Sequence, residues 1–251
     1  MFNVDKILAL DDNIIWILRH KNQAIVVDPG DGVSVIEYLA LHNLELNAVF
    51  ITHNHIDHIA GIPSLLACYP ALRIYSPLNL FEGTTNNIHL VVEGDKILEL
   101  NSLFEVISLP GHTAEHIGFI SNKNFFCGDT LFSAGCGRVA NQMFSEMYSS
   151  LLKIKKLPSD TYIYCAHDYI EQNLKFAHLV EPHNKQIIEC ISLLKMGSCL
   201  IPTTLNLELQ INPFLRLSYE AYIGAVKCNE ISDNPEDIFK YLRKWKDDLQ
   251  Y

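Results

Sequence analysis

Residues 48–58 of the chain, AVFITHNHIDH, place four potential metal ligands directly after a short apolar run. The four are His53, His55, Asp57 and His58. Neutral imidazoles suit zinc and iron, and a carboxylate adds charge and can bridge two ions. A solvated polar loop, the alternative interpretation, would rarely collect these side chains behind a hydrophobic strand. Because the segment is too crowded for one tetrahedral ion, we expect two ions. His53 and His55 would bind one, and Asp57 and His58 the other.

Three later segments repeat the layout of an apolar run that ends in a metal-competent residue. They lead to His112, Asp129 and His167. Strand ends are where α/β scaffolds place catalytic groups, because the sheet fixes the base of the side chain and the loop supplies reach. One such residue alone is usually a turn residue. Together with the first cluster, the three supply the ligands that a dinuclear site still lacks, and Asp129 can bridge two ions.

Composition bounds the class of protein. A chain of 251 residues, 49% of them hydrophobic, can bury the core of one large domain with or without a smaller one. The net charge of −10 argues against a protein that follows a phosphate backbone. We find no apolar stretch long enough to cross a membrane and no signal peptide. The seven cysteines form no CxxC pair, as is typical of reduced thiols. We therefore expect a cytoplasmic protein with no nucleic-acid or membrane partner.

The pattern of apolar residues changes along the chain. Short β-rich runs dominate up to His167, and helical spacing dominates after it. The predicted strands are 14–18, 24–27, 48–51, 73–75, 96–100, 104–109, 117–120, 124–127 and 161–165, and the predicted helices are 33–41, 62–69, 146–156, 170–180, 185–196 and 235–249. The sequence therefore predicts an α/β catalytic domain over 1–167 and a small helical C-terminal domain over 168–251.

The segment 52–58 resembles the THxHxDH signature of the metallo-β-lactamase superfamily, and the three later ligands match its remaining positions in order. This resemblance implies an αββα sandwich that holds two divalent ions per chain. It assigns the ligands as follows: His53, His55 and His112 to one ion, Asp57, His58 and His167 to the other, and Asp129 to both. Asp57 and Asp129 would also be catalytic residues. Zinc is the first expectation, and iron and manganese also accept such a set.

A narrower resemblance covers nearly the whole chain. Residues 128–138, GDTLFSAGCGR, are similar to the GDTLF…GCG(R/K) segment of the glyoxalase II (hydroxyacylglutathione hydrolase) family. Further similarities lie at 164–169, 173–177, 180–182, 201–205, 212–216 and 243–247. The resemblance implies hydrolysis of S-D-lactoylglutathione to glutathione and D-lactate, the second step of methylglyoxal detoxification.

The same family resemblance implies a basic pocket that grips the carboxylates of glutathione. Its members would be Arg138, Tyr169, Arg243 and Lys246. Guanidinium groups clamp carboxylates through paired charge-assisted hydrogen bonds. From the residues alone, Arg243 and Lys246 would instead be solvated cations near the end of a helix, where the dipole favours them. Ala140 departs from the family, which often has an aromatic residue at that position.

Other functions on this fold remain open from sequence. A lactonase would not need the basic pocket, and a sulfur dioxygenase would use one iron ion. A protein that binds metal or glutathione without catalysis is a further alternative. Cys136 and His116 are interpreted as structural residues rather than as a nucleophile and a ligand. We expect a monomer that acts on a small-molecule glutathione thioester.

Overall fold

The computed structural model describes residues 2–80, 87–217 and 233–249. The chain forms two compact units. Unit 1 comprises Met1–Ser108 and Glu115–Gly128, and unit 2 comprises Leu109–Ala114 and Asp129–Tyr251. Among the described residues, every helix is too short or too polar to cross a lipid bilayer.

Unit 1 contains a six-stranded sheet in the order β1-β2-β3-β4-β5-β6. The strands are β1 Asn3–Ala9, β2 Asn13–His20, β3 Gln23–Val27, β4 Glu45–Phe50, β5 Arg73–Ser76 and β6 Ile88–Leu90. The first three strands are antiparallel, and β3 to β6 are parallel. Parallel neighbours need crossover connections, which here contain α1 Gly32–Leu41, α2 Ile56–Ile59 and α3 Ile62–Cys68. The segments that follow β3 and β4 therefore emerge side by side at one edge of the sheet.

Unit 1 also contains four antiparallel strands in the order β7-β8-β9-β10. They are β7 Lys96–Glu99, β8 Ser102–Ser108, β9 Ile117–Ser121 and β10 Asn124–Gly128. Phe50 of β4 packs against this second set of strands. Its ring stacks on Phe119 at a centroid distance of 4.4 Å and meets the edge of Phe104 at 5.0 Å.

The opposite face of the six-stranded sheet packs against helices. Ile15, Ile17 and Val49 belong to a buried cluster that includes Val35 and Leu39 of α1. Because successive side chains of a strand point to opposite faces, burial on both faces makes β2, β3 and β4 nearly continuous apolar runs. This is why their positions are readable from the sequence.

Unit 2 is mainly helical, with two short pairs of strands. The strands are β11 Leu131–Phe132, β12 Gly135–Cys136, β13 Tyr162–Cys165 and β14 Thr203–Thr204, and the helices are α4 Phe144–Lys155, α5 Ile170–Val180, α6 Lys185–Lys195, α7 Leu205–Ile211 and α8 Pro235–Asp248. β11 pairs with β12, and β13 pairs with β14, both antiparallel.

Each predicted strand and helix overlaps one in the structure. Within residues 2–80, 87–217 and 233–249, the elements that were not predicted are β1, β6, β11, β12, β14, α2 and α7. All of them have seven or fewer residues, and the shortest are too short to show a period. β1 has seven residues and lies at the edge of its sheet, and its partly exposed, mixed polar and apolar sequence hides the alternation.

Replacement of Phe50 by alanine should destabilise the protein strongly, because it leaves a cavity under two aromatic rings. The expected loss of unfolding free energy is about 3–5 kcal/mol. Leu98→Ala is the control, since Leu98 is 72% exposed and its loss should cost less than about 0.5 kcal/mol. Urea denaturation of both variants at equal metal loading measures the difference. Similar losses in the two variants would contradict the packing described for Phe50.

Candidate metal centre and substrate pocket

Unit 1 brings together the four potential ligands that follow β4. His53 and His58 are buried, Asp57 is half-buried and His55 is exposed. His53 Nε2 lies 3.0 Å from His55 Nδ1, and His58 Nε2 lies 3.6 Å from Asp57 Oδ2. Within this unit, His53 therefore lies next to His55, and Asp57 next to His58, as the sequence predicted.

A buried aspartate outside the predicted site orients this segment. Asp28 follows β3, and its Oδ1 and Oδ2 accept hydrogen bonds from the backbone N–H and the hydroxyl of Thr52, at 2.8 and 2.7 Å. Its Oδ2 also lies 3.1 Å from His58 Nδ1. This contact directs Nδ1 of His58 toward the Asp28 carboxylate, so that Nε2 is the ring nitrogen available to a metal ion. Asp28 adopts a φ of 51°, a left-handed conformation that a short polar side chain tolerates.

Asp57 is held from a second direction. Asn13 Nδ2 donates to its Oδ2 at 3.1 Å and to its backbone carbonyl at 3.2 Å. Gly30 passes so close that a Cβ at this position would lie 1.9 Å from the Asp57 carbonyl oxygen. Neither Asp28 nor Gly30 was among the predicted site residues. An aspartate directly after a buried parallel strand was the one signal of their role.

Unit 2 brings together the other three predicted ligands. His112 Nε2 and His167 Nε2 lie 3.3 and 3.4 Å from the same oxygen, Oδ2 of Asp129. Asp129 and His167 are buried, and His112 is partly exposed. His112 Nδ1 lies 3.0 Å from the carbonyl oxygen of Arg138, which fixes its other nitrogen toward Asp129. Two imidazoles directed at one carboxylate oxygen could together bind a metal ion, which residues of an ordinary turn would not do.

The spacing of these atoms fits divalent metal ions. A tetrahedral ion with bonds of about 2.1 Å separates its ligand atoms by about 3.4 Å. The distances from Asp129 Oδ2 to His112 Nε2 and His167 Nε2 match this value. Buried imidazole nitrogens and carboxylate oxygens are also the donors that zinc, iron and manganese prefer.

A pocket of about 450 Å³ lies within unit 2. Its lining includes His112, Asp129, Arg138, Tyr169, Arg243 and Lys246. All four residues that the sequence analysis assigned to substrate binding thus line one pocket with two of the predicted ligands.

Arg243 is not a solvated residue of its helix. The side chain is 3% exposed, and its Nη1 and Nη2 donate to the Cys136 carbonyl and to Asp247, both at 2.9 Å. Lys246 is half-buried and donates to Asn173 Oδ1. Burial, followed by the charge of Arg243, lowers the pKa of Lys246 to about 7. The interpretation of both residues as a solvated helix face is therefore wrong.

Three further positions bear on the sequence interpretations. Burial raises the pKa of the Cys136 thiol, which disfavours the thiolate that a nucleophile needs. His116 is fully buried and stacks on His53 at a centroid distance of 4.8 Å. Ala140 is half-buried, and its N–H donates to the Gly111 carbonyl. Packing accounts for the burial of Cys136 and His116.

Replacement of Asp28 by asparagine should weaken metal binding, because an amide keeps only one acceptor oxygen and its NH2 group would face Thr52 or His58 as a donor. Loss of such an outer partner typically lowers metal affinity by about 10–100-fold. Competition with a chromophoric chelator measures the affinity for Zn²⁺. The control is Asp11→Asn, which removes an equal charge at an exposed position. Equal affinity in the two variants would contradict the role of Asp28.

Known families match nearly the whole chain. Residues 13–167 match the metallo-β-lactamase superfamily, and residues 168–249 match the family described as the hydroxyacylglutathione hydrolase C-terminus. Among solved structures, ETHE1 from Myxococcus xanthus has a TM-score of 0.66 at 23% identity and covers 97% of this chain and 98% of its own. The α/β class and the metallo-β-lactamase fold that the sequence predicted are thereby confirmed.

Curated relatives narrow the family. Hydroxyacylglutathione hydrolase 1 of Vibrio vulnificus (strain YJ016) is 47% identical over 241 residues, which cover 95% of this chain and 94% of the relative. Hydroxyacylglutathione hydrolase of Aeromonas hydrophila subsp. hydrophila is 42% identical over 256 aligned residues. The alignment covers 98% of this chain and 99% of the relative. The chain therefore belongs to the hydroxyacylglutathione hydrolase family of the metallo-β-lactamase superfamily.

Proposed function

We propose that this chain hydrolyses S-D-lactoylglutathione to glutathione and D-lactate, the second step of methylglyoxal detoxification. The observation that carries the proposal is the unit 2 pocket, in which three cations and a tyrosine share one cavity with His112 and Asp129. The family membership and the names of the curated relatives support it. A lactonase or a mononuclear iron sulfur dioxygenase is not favoured, because the match extends through the hydroxyacylglutathione hydrolase C-terminus.

The metal part of the proposal is a centre of two divalent ions, with zinc as the first candidate and iron or manganese as alternatives. Asp129 would bridge the two ions. The remaining ligands would be His53, His55 and His112 for one ion and Asp57, His58 and His167 for the other. The converging nitrogen and carboxylate atoms in each unit support this assignment. Bound divalent ions supply Lewis acidity and lower the pKa of water to about 7.

The pocket residues would bind the glutathione part of the substrate. Glutathione carries two carboxylates. Arg138 is exposed at the pocket, whereas the guanidinium group of Arg243 is already hydrogen-bonded to Cys136 and Asp247. Tyr169 is held by stacking on His167 at 4.9 Å and by an edge contact with Phe132 at 5.1 Å. Arg138 and Lys246 would therefore contact carboxylates, Arg243 would contribute charge from a fixed position, and Tyr169 would orient the peptide.

The proposed reaction does not require a side chain that donates a proton to the leaving group. Hydrolysis forms a bond between a water oxygen and the acyl carbon and breaks the C–S bond, so that the acid forms as a carboxylate, glutathione leaves as a thiolate and the two protons of the water pass to the solvent. A thiol with a pKa of about 8.5 leaves without a strong general acid. Asp57, oriented by Asn13, and Asp129, flanked by two imidazoles, would supply the negative charge that balances the ions.

We further propose that the chain works as a cytoplasmic monomer. Its domains would be a catalytic domain over 1–167 and a helical substrate-binding domain over 168–251. The ranges of the two family matches support this division.

Hydrolysis should depend on the glutathione part of the substrate. For S-D-lactoylglutathione, loss of thioester absorbance should be fast in protein of known metal content. With the same acyl group on N-acetylcysteamine, which lacks the carboxylates, kcat/KM should fall by roughly 100-fold, because hydrogen bonds to charged groups contribute about 1.5–3 kcal/mol each. No turnover by metal-loaded protein would contradict the proposed function. Equal turnover of both thioesters would retain the hydrolase and contradict the glutathione pocket.

The affinity for the glutathione part should fall as pH rises from 6 to 8. Burial and the charges of Arg243 and Arg138 lower the pKa of Lys246 to about 7, against the opposing effects of Cys136 and Asp247. Lys246 is therefore protonated below pH 7 and neutral above it. A bound carboxylate favours the ammonium form, so binding near pH 7.5 should take up protons.

Titration calorimetry with S-methylglutathione, in two buffers of different ionisation enthalpy, measures this proton uptake. Lys246→Met should bind more weakly at pH 6 and lose the proton uptake. Lys244→Met is the control, because Lys244 is an exposed lysine of the same helix. If Lys246→Met keeps the pH dependence of the wild type, Lys246 is not the group that titrates.

A further inference from the structure

One wall of the unit 2 pocket is the β11–β12 hairpin. Phe132 and Cys136 of the hairpin line the pocket, as do Asp129 and Arg138 on either side of it. The hairpin turns at Ser133 and Ala134, and Ala134 has a φ of 55°. This left-handed conformation is unfavourable for alanine and persists only where surrounding contacts hold it. The contacts that hold the turn therefore fix the pocket wall.

A buried carboxylate on α7 supplies these contacts. Glu208 has no exposed surface. Its Oε1 accepts a hydrogen bond from the Ser133 hydroxyl, and its Oε2 accepts one from the Ala134 N–H, both at 2.9 Å. Burial raises the pKa of Glu208, and the hydrogen bonds that it accepts oppose this shift. Each oxygen of the Glu208 carboxylate thus accepts a hydrogen bond from a donor in the turn, the Ser133 hydroxyl or the Ala134 N–H.

Asn212, at the end of the same helix, holds the two strands of the hairpin. Its side-chain N–H groups donate to the carbonyls of Phe132 at 3.1 Å and Gly135 at 2.9 Å, and also to Glu208 at 3.0 Å. Asn212 is also fully buried. These bonds give a physical reason for the similarity noted at 212–216, because Asn212 is the first residue of that segment.

The turn is linked to the pocket from its other side. Asn173 Nδ2 donates to the Ser133 carbonyl at 2.9 Å, while its Oδ1 accepts from Lys246. Asn173 and Lys246 both line the pocket. A displaced turn would therefore disturb Lys246 as well as the two residues that flank the hairpin, Asp129 and Arg138.

We propose that Glu208 is a positioning residue for the pocket: it holds Ser133 and Ala134 in the turn that sets Asp129 and Arg138. Glu208 is not part of the pocket lining, so its effect on a bound substrate would be indirect. The consequence for catalysis rests on the proposed function, whereas the consequences for the hairpin and for metal binding do not.

The test compares Glu208→Gln with a matched control, Glu181→Gln. Both glutamates are buried in unit 2. Glu181 accepts hydrogen bonds from Arg216 at 3.1 Å and from Asn184, neither of which belongs to the hairpin. The side-chain amide introduced by Glu208→Gln would present a donor to Ser133 or Ala134 in place of an acceptor. Hydrogen exchange, Zn²⁺ affinity by chelator competition, and kcat and KM are measured on each full-length variant.

We expect Glu208→Gln to speed amide exchange in the hairpin by about tenfold relative to Glu181→Gln. Zn²⁺ affinity should fall by roughly tenfold, because Asp129 loses its orientation. KM for S-D-lactoylglutathione should rise more than kcat falls, because Arg138 and Lys246 shift. Hairpin exchange and Zn²⁺ affinity equal to those of the control would overturn the proposal.

A second variant distinguishes positioning from general stability. Glycine adopts a φ near 55° without strain, so Ala134→Gly should be tolerated alone and should restore part of the Zn²⁺ affinity and KM lost in Glu208→Gln. No restoration in the double variant would contradict the role of the turn. If the wild type fails to hydrolyse S-D-lactoylglutathione, the proposed function is wrong, while exchange and Zn²⁺ affinity still decide the role of Glu208.

Discussion

The carboxylate of Asp28 is the interaction on which the arrangement of unit 1 depends. A buried carboxylate is costly unless hydrogen bonds satisfy it. Asp28 meets its partners, Thr52 and His58, only because β3 and β4 are parallel neighbours whose carboxyl ends emerge together. The pairing of β3 with β4 therefore also sets the direction in which the His58 side chain points. A shift in register would leave both the carboxylate and the imidazole without this contact.

Unit 2 uses the same physical device. Glu208 is a fully buried carboxylate that accepts hydrogen bonds from a segment bordered by a predicted ligand, Asp129. In each unit a buried acid outside the predicted ligand set accepts a hydrogen bond from the backbone near predicted ligands. Polar groups satisfied only in one geometry penalise every other geometry. This device suits a metal centre, whose ligand atoms must be placed to a few tenths of an ångström.

The local charge of the pocket differs in sign from the charge of the chain. The net charge is −10, yet Arg138, Arg243 and Lys246 line one cavity. Crowding these cations in a partly dry site costs free energy, and the lowered pKa of Lys246 reflects that cost. An anionic ligand would recover it, which is the physical basis for proposing a substrate with carboxylates.

The sequence by itself determined the fold class, the seven candidate ligands and most strands and helices. These features follow from local patterns: apolar runs buried on both faces, and ligand types crowded behind strand ends. Only the tertiary structure decided that Arg243 is buried and that Asp28 and Glu208 accept hydrogen bonds from segments next to predicted ligands. Each of these residues has a partner that is distant in sequence: Thr52 for Asp28, Ser133 for Glu208 and Cys136 for Arg243, which lie 24, 75 and 107 residues away. A single acidic or basic residue in a sequence looks the same in a solvated turn and in a buried network, because folding alone supplies the donors and acceptors around it.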